Sequence, residues 1–457
     1  VDTAVVIRSF ADTSWRFACP FGSYENPPAA LLAELGTTAS RLVYTEAGGN
    51  MPQWCANQLG EAISRGEADV ALIAGGEALA TQKAAQRADI MLDWSRPASS
   101  APQSWGVSKR GWSDVEDRHG MRGAIYAYPL FEQAIRAARG RSLAEHQQAM
   151  GELLARFAAV AASNPLADRR DGYDASTIAQ PGAGNPMIGF PYTRLMNANA
   201  FIDQSAALIM CSAGRARALG IPRQRWVFLH GHADAHDHWY ITDRRDLHSS
   251  PAMAAVFAST FQRANCTLAD IDSMDLYSCF ASAVQVACDA LELAEDDPRG
   301  LTVTGGLPYF GGPGNNYVTH SIAEIMNRVR AKPGSRGLVT ANGNYLTKHS
   351  AGVYSTEAPA PAGAAPSGAQ LQAELDRIAH PPVVELASGS AEVETWTVMH
   401  DRKGPTQAIV IGRLSGGERF IANTRPDPGL LQEMEQTDLI GLTGKVHHDG
   451  QHNTFEP

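Results

Sequence analysis

Apolar and polar positions follow two patterns along the first 357 residues of the chain. Short runs that are almost entirely apolar, such as 70–74, have the character of strands buried on both faces of a parallel sheet. Between these runs, apolar residues recur every three or four positions, as at Cys55, Leu59 and Ala62, which predicts amphipathic helices. Strands that alternate with helices in this way indicate an α/β fold.

The same patterns predict the individual elements. Strands are expected at 1–7, 42–44, 70–74, 206–211, 273–277 and 337–341. Helices are expected at 126–139, 143–162, 251–264 and 281–293, and behind a glycine-rich loop that ends at His320. Because the alternation starts again near Trp226, we predict two halves, residues 1–225 and 226–357.

Two regions break the alternation. Residues 97–190 are rich in Pro, Ser, Gly, Trp and charge, and they read as a loop or cap insertion over a sheet. Residues 358–382 are predicted to be a linker, since 358–369 consist mainly of Ala, Pro and Gly. Residues 383–457 are predicted to form a small β-rich domain, a barrel of the OB type. No stripe of aromatic and basic residues favours oligonucleotide binding there, so docking on the larger domain is the preferred role.

Composition narrows the classes of function. The 457 residues carry a net charge of −10, which argues against nucleic acid as a partner. No apolar run is long enough to span a bilayer, so no membrane association is expected. The six cysteines form no CxxC pair, which favours reduced thiols and a cytoplasmic location. The chain opens with Val1 inside a predicted strand, so what precedes it is left open.

A run of histidines is the one candidate metal site, and we expect no metal there. The ligand pairs of zinc sites are usually more widely separated in sequence than in this run. The four residues are His230, His232, His236 and His238.

The most informative segment for chemistry is the glycine-rich loop from Thr304 to His320. Glycines such as Gly311 and Gly312 let a ligand come close to bare backbone, and the helix start behind them offers free N–H groups to an oxyanion. Tyr317 and His320 are three positions apart and share a face of the first helical turn. The alternative is a tight turn that caps a core helix.

Several segments, in this order, resemble the thiolase superfamily. They are Glu61 to Ala78 with its Ala-Gly-Gly-Glu turn, the strand from Asp203, the segment Asp275-Leu-Tyr-Ser-Cys-Phe-Ala281, the glycine-rich loop, and the strand Gly337 to Gly343. The resemblance covers residues 1–357. It implies a duplicated fold of five layers, α/β/α/β/α, that is usually dimeric, with residues 97–190 as the loop domain. The family's first strand and helix have no counterpart before Val1.

The residues at the family's catalytic positions differ. The nucleophilic cysteine falls within Gly48, Gly49 and Asn50, and the second catalytic cysteine falls on Asn342. The catalytic histidine falls on Gly312, and the asparagine of the Asn-Glu-Ala-Phe segment falls on Tyr277. Cys55 lies inside a predicted helix on its apolar stripe, and Cys279 reads as a small buried residue. Thioester acyl transfer needs an activated thiolate, so thiolase activity is not expected.

A subset of the superfamily, similar to sterol-carrier-type thiolases, consists of aldol lyases that use tyrosines and act with a small OB-type domain. Tyr277 and Tyr317 resemble that arrangement, and His320 and the helix dipole are expected to lower a tyrosine pKa. Backbone N–H groups near Gly312 or Gly343 are candidate oxyanion donors. His349 is expected to reach the same cavity, while the tyrosines as void-filling residues are the alternative.

Two hypotheses follow for function. The first is an enzyme of the acetyl-CoA acetyltransferase family that acts at a carbon–carbon bond of an acyl-CoA without a cysteine nucleophile. Coenzyme A then enters as part of the substrate, with no permanently bound cofactor, and Gly48, Gly49, Gly311, Gly312 and Gly343 are the expected binding positions. The second is a non-catalytic acyl-CoA-binding protein that recruits a partner through its C-terminal domain. The resemblance implies a homodimer in either case.

Overall fold

The computed structural model describes residues 1–361 and 363–457, which form three β-sheets and fourteen α-helices. The strands are β1 (Thr3–Val6), β2 (Arg41–Thr45), β3 (Val70–Ala78), β4 (Gln103–Trp105), β5 (Met187–Gly189), β6 (Tyr192–Thr193), β7 (Asp203–Cys211), β8 (Phe228–His236), β9 (Ser273–Asp275), β10 (Arg336–Gly343), β11 (Lys348–Ser355), β12 (Gly389–Asp401), β13 (Gly404–Leu414), β14 (Arg419–Asn423), β15 (Thr443–His448) and β16 (Asn453–Glu456). The helices are α1 (Pro27–Glu34), α2 (Met51–Ser64), α3 (Leu79–Arg87), α4 (Asp114–Arg118), α5 (Ala124–Ala138), α6 (Leu143–Ser163), α7 (Ala175–Ala179), α8 (Ala213–Ala218), α9 (Pro251–Ala264), α10 (Ala281–Leu291), α11 (Gly306–Tyr309), α12 (Tyr317–Ala331), α13 (Gly368–Leu375) and α14 (Pro428–Met434).

The first sheet has the order β4-β2-β1-β3-β7. Strands β4, β2, β1 and β3 are parallel, and β7 runs antiparallel to β3. The first five residues of β3 are all buried, as its continuous apolar run predicted. The second sheet has the order β8-β11-β10-β9, in which β10 pairs antiparallel with β11 and parallel with β9.

Helices α2 and α12 contact strands of both sheets and each other, so they form the central layer of the molecule. Helix α1 covers the outer face of the first sheet, and α9 covers the outer face of the second. The five-layer α/β/α/β/α arrangement that the resemblance implied is therefore confirmed. The site residues lie where loops from both sheets meet at the start of α2.

The predicted insertion contains α4 to α7, and its two long helices occur within two residues of the predicted positions. Helix α5 packs on α10 of the second half and on strand β12 of the C-terminal region. Helix α6 packs on α7, and also on α10 and α11. The insertion thus connects the sheets of the large domain with the small one, as a cap over the second half.

The C-terminal strands close into a ring. The order β13-β14-β16-β15-β12 is completed by pairing of β12 with β13, and α14 lies between β14 and β15. Trp396, Phe420 and Phe455 are fully buried inside this small barrel. Its assignment to the OB type stays a prediction. Buried Arg419 donates a hydrogen bond to the carbonyl oxygen of Thr242, so the barrel is docked on the second half.

The predicted linker is partly wrong. Residues 368–375 form α13, where the Ser367 side chain caps the backbone N–H of Gln370 and the apolar Leu371 and Leu375 pack on Ala252 of α9. Composition hid this helix because it directly follows an Ala- and Pro-rich run. Ala362, within the predicted linker, lies outside the described residues. Within the described ranges, none of the helices combines the length and the apolar character that crossing a membrane requires.

Candidate active site

Glycines from two parts of the chain meet at the start of α2. Gly48 and Gly49 connect β2 to α2, and Gly343 ends β10. A Cβ added to Gly343 would lie 3.2 Å from the Cα of Gly48 and 3.2 Å from the backbone nitrogen of Gly49. We call this contact, together with Tyr277 and Asn342, the glycine junction. It brings together five of the residues that the sequence predicted for the site.

The close approach requires glycine at position 49. A Cβ there would overlap the hydroxyl of Tyr277 and lie 2.6 Å from the carbonyl oxygen of Asn342. Gly48 is constrained differently, because its φ of 153° is rarely adopted by other residues. The backbone N–H of Gly48 donates to the side-chain oxygen of Asn315 at 2.9 Å, whereas that of Gly49 has no hydrogen-bond partner among the described residues.

Tyr277 presents its phenol to this junction. Its backbone N–H bonds to Thr340 at 3.0 Å, but its hydroxyl makes no hydrogen bond to any described residue. The ring packs edge-on against Tyr317, with centroids 5.8 Å apart. Burial raises the pKa of Tyr277 well above its ordinary value, so the expected lowering of a tyrosine pKa is wrong here. The neutral phenol is a hydrogen-bond donor at neutral pH.

Tyr317 has a different environment. Its hydroxyl donates to Asp275 at 2.9 Å and lies 2.7 Å from the Thr304 hydroxyl. Burial raises the pKa of Tyr317 as well, and the neighbouring carboxylate adds to the effect. The prediction of a tyrosine activated by His320 is therefore wrong, because this hydroxyl is committed to holding Asp275.

Asp275 is the centre of a saturated polar cluster that the sequence did not reveal. Burial raises the pKa of its carboxyl group, and hydrogen bonds, led by that from Ser321, oppose the shift. We call this group the Asp275 cluster. Its carboxylate accepts hydrogen bonds from the hydroxyls of Thr302, Thr304, Tyr317 and Ser321 and from the backbone N–H groups of Val303 and Thr304.

The rest of the glycine-rich loop is also committed to structure. The backbone N–H of Gly312 donates to the carbonyl oxygen of Asn199 at 2.9 Å, so it is not free to bind an oxyanion. A Cβ on Gly311 would lie 2.5 Å from the Gln204 side-chain oxygen. His320 packs edge-on against Phe310 and does not hydrogen-bond to either tyrosine. Burial lowers its pKa to about 4, so its ring is neutral at pH 7.

Tyr128 joins the site without having been predicted. It lies on α5 in the cap, and its hydroxyl accepts hydrogen bonds from the Asn342 amide at 3.0 Å and the Leu346 backbone N–H at 3.3 Å. Its ring stacks on Phe280 with centroids 4.4 Å apart. No motif pointed to Tyr128, because only the tertiary packing of the cap brings it to Asn342.

The turn that follows Asn342 is strained. Asn344, Tyr345 and Leu346 have φ of 51°, 58° and 59°, which non-glycine residues adopt at a cost of about 1–3 kcal/mol each. The Asn342 side-chain oxygen and Tyr128 both accept from the Leu346 backbone and so hold this turn. Strained residues of this kind cluster at functional sites, and they persist only where the surrounding structure holds them in place.

His349 does not join the glycine junction. It is the backbone partner of Asn342 across β10 and β11, but its Nε2 contacts Ser250 at 3.1 Å, Asp237 at 3.3 Å and the Leu346 carbonyl oxygen at 3.0 Å. The expectation that it reaches the same cavity is therefore wrong. It stabilises the turn from the side of α9.

Lys348 is a second residue that the sequence analysis missed. It pairs with Gly343, is 6% exposed, and its Nζ donates to the Ala47 carbonyl oxygen at 2.6 Å. Burial lowers its pKa to about 8. One signal was present in the sequence, since Lys348 is the only Lys, Arg, Asp or Glu between Gly337 and Ser355.

The cysteines and the histidine run contribute no reactive cluster. Cys55 is fully buried inside α2, and burial raises its pKa. Burial likewise raises the pKa of Cys279 to about 12. The four clustered imidazoles have separate neighbours, and no group of three metal-binding side chains occurs in residues 1–361 and 363–457. These neighbours are the Glu357 carbonyl oxygen for His230, the Glu61 carboxylate for His232, the Asp237 carbonyl oxygen for His236 and the Ile378 carbonyl oxygen for His238.

Comparison with curated proteins finds thiolases. A 3-ketoacyl-CoA thiolase of Erwinia tasmaniensis is 31% identical over 159 residues, a match that covers 32% of this chain and 35% of that enzyme. A 3-ketoacyl-CoA thiolase of Yersinia pestis is 28% identical over 182 residues, covering 36% of this chain and 40% of the enzyme. The chain thus matches well under half the length of these relatives.

Solved structures extend the likeness to the whole chain. An Ltp2-ChsH2(DUF35) aldolase has a TM-score of 0.57 at 16% identity, covering 78% of this chain and 87% of its own, which shows a shared fold. A monomeric SCP2-thiolase-like protein type 1 from Mycobacterium smegmatis is 37% identical, with a TM-score of 0.85, and the match covers 100% of this chain and 89% of that protein. Residues 370–451 match the sequence model of the thiolase-like protein type 1 additional C-terminal domain. The chain belongs to the family of SCP2-thiolase-like proteins of type 1.

Proposed function

We propose that this protein cleaves or forms a carbon–carbon bond of an acyl-CoA thioester by retro-aldol chemistry, without a cysteine nucleophile. Coenzyme A is part of the substrate, and no permanently bound cofactor is required. The observation that carries the proposal is the Tyr277 phenol, which faces Gly49 with no hydrogen-bond partner among the described residues. The hydroxyl is therefore available to donate a hydrogen bond to a ligand.

The chemistry follows from the charge that a retro-aldol step creates. When the bond between the α and β carbons of a β-hydroxyacyl thioester breaks, its electron pair moves onto the thioester oxygen as an enolate. Hydrogen-bond donors that point at this oxygen lower the barrier. The neutral phenol of Tyr277 and the free backbone N–H of Gly49 are candidate donors of this kind, since the Tyr277 hydroxyl lies directly against Gly49.

The surroundings of the thiols support chemistry without cysteine. Positions 48 and 49 carry no side chain, and Cys55 lies inside α2 with a raised pKa. A thiolate is the reactive form of cysteine, and burial in apolar surroundings disfavours it. The fold shared with the Ltp2-ChsH2(DUF35) aldolase is also compatible with a lyase.

The experiment is a turnover assay with a panel of β-hydroxyacyl-CoA and β-ketoacyl-CoA thioesters. Released aldehyde or ketone and the shortened acyl-CoA are detected by mass spectrometry. We expect Tyr277→Phe to lower kcat by about 100-fold, the usual effect of losing one oxyanion donor. Tyr309→Phe is the matched control, because it is also buried and its hydroxyl also lacks a partner, but it lies beside Tyr173. Equal rates for the wild type and Tyr277→Phe would refute the role of Tyr277.

The rival function is a non-catalytic acyl-CoA-binding protein that recruits a partner through its C-terminal barrel. One observation favours it: the pKa of both Tyr277 and Tyr317 is raised, so neither supplies a phenolate base at neutral pH. Thioester binding without turnover of any compound in the panel, measured by calorimetry on the same preparation, would establish this function instead.

For assembly, we propose a monomer rather than the homodimer that the thiolase resemblance implied. The Mycobacterium smegmatis relative, which is similar over the whole chain, is described as monomeric. Light scattering coupled to size exclusion tests this directly, and a mass of twice 48.9 kDa would restore the homodimer.

A further inference from the structure

Lys348 is an unusual lysine in this chain. The sequence contains six lysines, and within the described residues only Lys348 is buried. It begins β11, opposite Gly343 at the end of β10, so its side chain is delivered to the glycine junction by the register of the second sheet. Lysine is rarely buried without a charged partner, and a buried one calls for an explanation.

The amine occupies the space that a side chain at position 48 would need. A Cβ added to Gly48 would lie 2.6 Å from the Lys348 Nζ and 2.6 Å from the Asn50 Oδ1. By the thiolase resemblance, the family's nucleophile falls within Gly48, Gly49 and Asn50. The lysine amine therefore lies where that nucleophile would begin, although it comes from the opposite half of the chain.

A second, independent observation comes from Asn50. This residue is 3% exposed, and its Oδ1 has no hydrogen-bond partner among the described residues. It does not cap α2, although it stands at the capping position. An unpartnered buried oxygen beside an amine with a single hydrogen bond is the arrangement expected where a polar ligand completes the network.

The surroundings of the Lys348 amine favour its unprotonated form, which can accept a proton. The Nζ makes one hydrogen bond, to the Ala47 carbonyl oxygen, and Glu46 is the charged group that acts on it. Burial outweighs the effect of Glu46 and lowers the pKa to about 8. At pH 7 about one such amine in ten is unprotonated, compared with fewer than about one in a thousand for an ordinary lysine.

We propose that Lys348 is the general base of the glycine junction. This rests on the proposed function and supplies the proton acceptor that the neutral tyrosines cannot. The free amine takes the proton of the β-hydroxyl group, the hydroxyl oxygen becomes the carbonyl oxygen of the released aldehyde or ketone, and the bond between the α and β carbons breaks. Its electron pair forms the thioester enolate, and the enolate carbon then takes the proton from the Lys348 ammonium, which restores the amine. Atoms and electrons balance without a cofactor.

The first test does not need turnover. The intact chain is labelled with trace acetic anhydride between about pH 6 and pH 10, and the labelled fraction of each lysine is read by peptide mass spectrometry. We expect Lys348 to become reactive with a midpoint near 8, and the exposed Lys332 is labelled in the same samples as an accessible reference. Saturating 3-hydroxybutyryl-CoA should protect Lys348 and leave Lys332 unchanged. A midpoint near 10, no labelling of Lys348, or no protection would each overturn the proposal.

The second test separates failure of the base from failure of the proposed function. Lys348→Met should lower kcat by about 100-fold or more and change the thioester Kd little, while circular dichroism shows that the variant folds. Lys348→Arg, which keeps the charge but cannot lose a proton, should be equally inactive. Turnover by the wild type and by Lys348→Met at the same rate would refute the base alone. Lack of turnover by the wild type, with Lys348 still protected, would refute the proposed function and leave the lysine as a binding group.

Discussion

The Asp275 cluster and the glycine junction lie side by side and are built in opposite ways. In the Asp275 cluster, one buried carboxylate receives hydrogen bonds from four hydroxyls and two backbone N–H groups. At the glycine junction, the Tyr277 hydroxyl makes no hydrogen bond to any described residue; beside it, the Asn50 Oδ1 has no described partner and the Lys348 amine has one. The rings of Tyr317 and Tyr277 touch, yet one hydroxyl is saturated and the other is free.

The contrast teaches which polar residues hold the fold and which are available for chemistry. Buried polar groups that satisfy one another rigidify a core, whereas polar groups without a protein partner are free to bind a ligand. By this criterion the glycine-rich loop, the most informative segment of the sequence, is largely structural. The proposed functional surface is the bare backbone of Gly48 and Gly49, with side chains from three other segments around it.

The largest expected effect comes from the Asp275 cluster. Asp275→Asn would present amide hydrogens to hydroxyl and backbone donors, so we expect a loss of about 4 kcal/mol in the free energy of unfolding. Urea denaturation followed by circular dichroism measures it. Asp272→Asn is the control, because its bond to Lys332 is solvent-exposed and should contribute at most about 1 kcal/mol. Similar losses for the two variants would show that the Asp275 cluster does not stabilise the fold.

The next effect comes from filling the glycine junction. Gly49→Ala would push the added Cβ into the Tyr277 hydroxyl and the Asn342 carbonyl oxygen, at a cost of about 1–3 kcal/mol in stability. It should also abolish binding of acyl-CoA thioesters by calorimetry. Gly184→Ala is the matched control, since a Cβ there meets no atom within 4 Å. Unchanged thioester binding in Gly49→Ala would place the ligand elsewhere.

The two touching tyrosines should differ in what their hydroxyls contribute, that of Tyr317 to stability and that of Tyr277 to turnover. Tyr317→Phe removes a hydrogen bond to a buried carboxylate, so we expect a loss of about 1–2 kcal/mol in stability. Tyr277→Phe removes a hydroxyl with no described partner and should change stability by less than about 0.5 kcal/mol, although it lowers turnover. Denaturation and kinetics on both variants test this pairing. If Tyr277→Phe is the less stable of the two, the distinction between the regions fails.

The sequence predicted those features of the fold that local residue patterns determine. Helix α9 was predicted from Pro251 to Ala264 with both ends correct, because Ser250 caps its start and Asn265, at φ 52°, ends it. The residues of the glycine junction were predicted from a family resemblance instead of a local pattern. Gly48, Gly49, Gly343, Asn342 and Tyr277 followed from the thiolase resemblance.

Two residues around the junction depend on tertiary structure and were not predicted, although the isolated charge of Lys348 was one signal in the sequence. Tyr128 reaches Asn342 through packing of the cap, across 214 positions of sequence. Lys348 reaches Ala47 across 301 positions, because a strained turn sets the register of β10 and β11. The pKa of Tyr277 and Tyr317 was predicted in the wrong direction because burial outweighs any helix dipole.

The smallest expected effect is a gain in stability, opposite in sign to the loss expected for Asp275→Asn. Lys348→Met removes a buried cation that is paired with no carboxylate in the described structure, so we expect a gain of about 1 kcal/mol in stability at pH 7, after loss of the bond to Ala47. The pKa of Lys348 is about 8 in the folded chain and near 10.4 when unfolded, so the unfolded chain binds more protons between these values. Wild-type stability should therefore rise with pH from about 8 to 10.4 relative to Lys348→Met, and the gain should vanish at the upper end. Thermal unfolding of both proteins across this range measures it, with Lys332→Met as the exposed control. A variant that is less stable than the wild type at pH 7 would show that Lys348 holds the loop before α2. The amine would then be a structural group, like those of the Asp275 cluster.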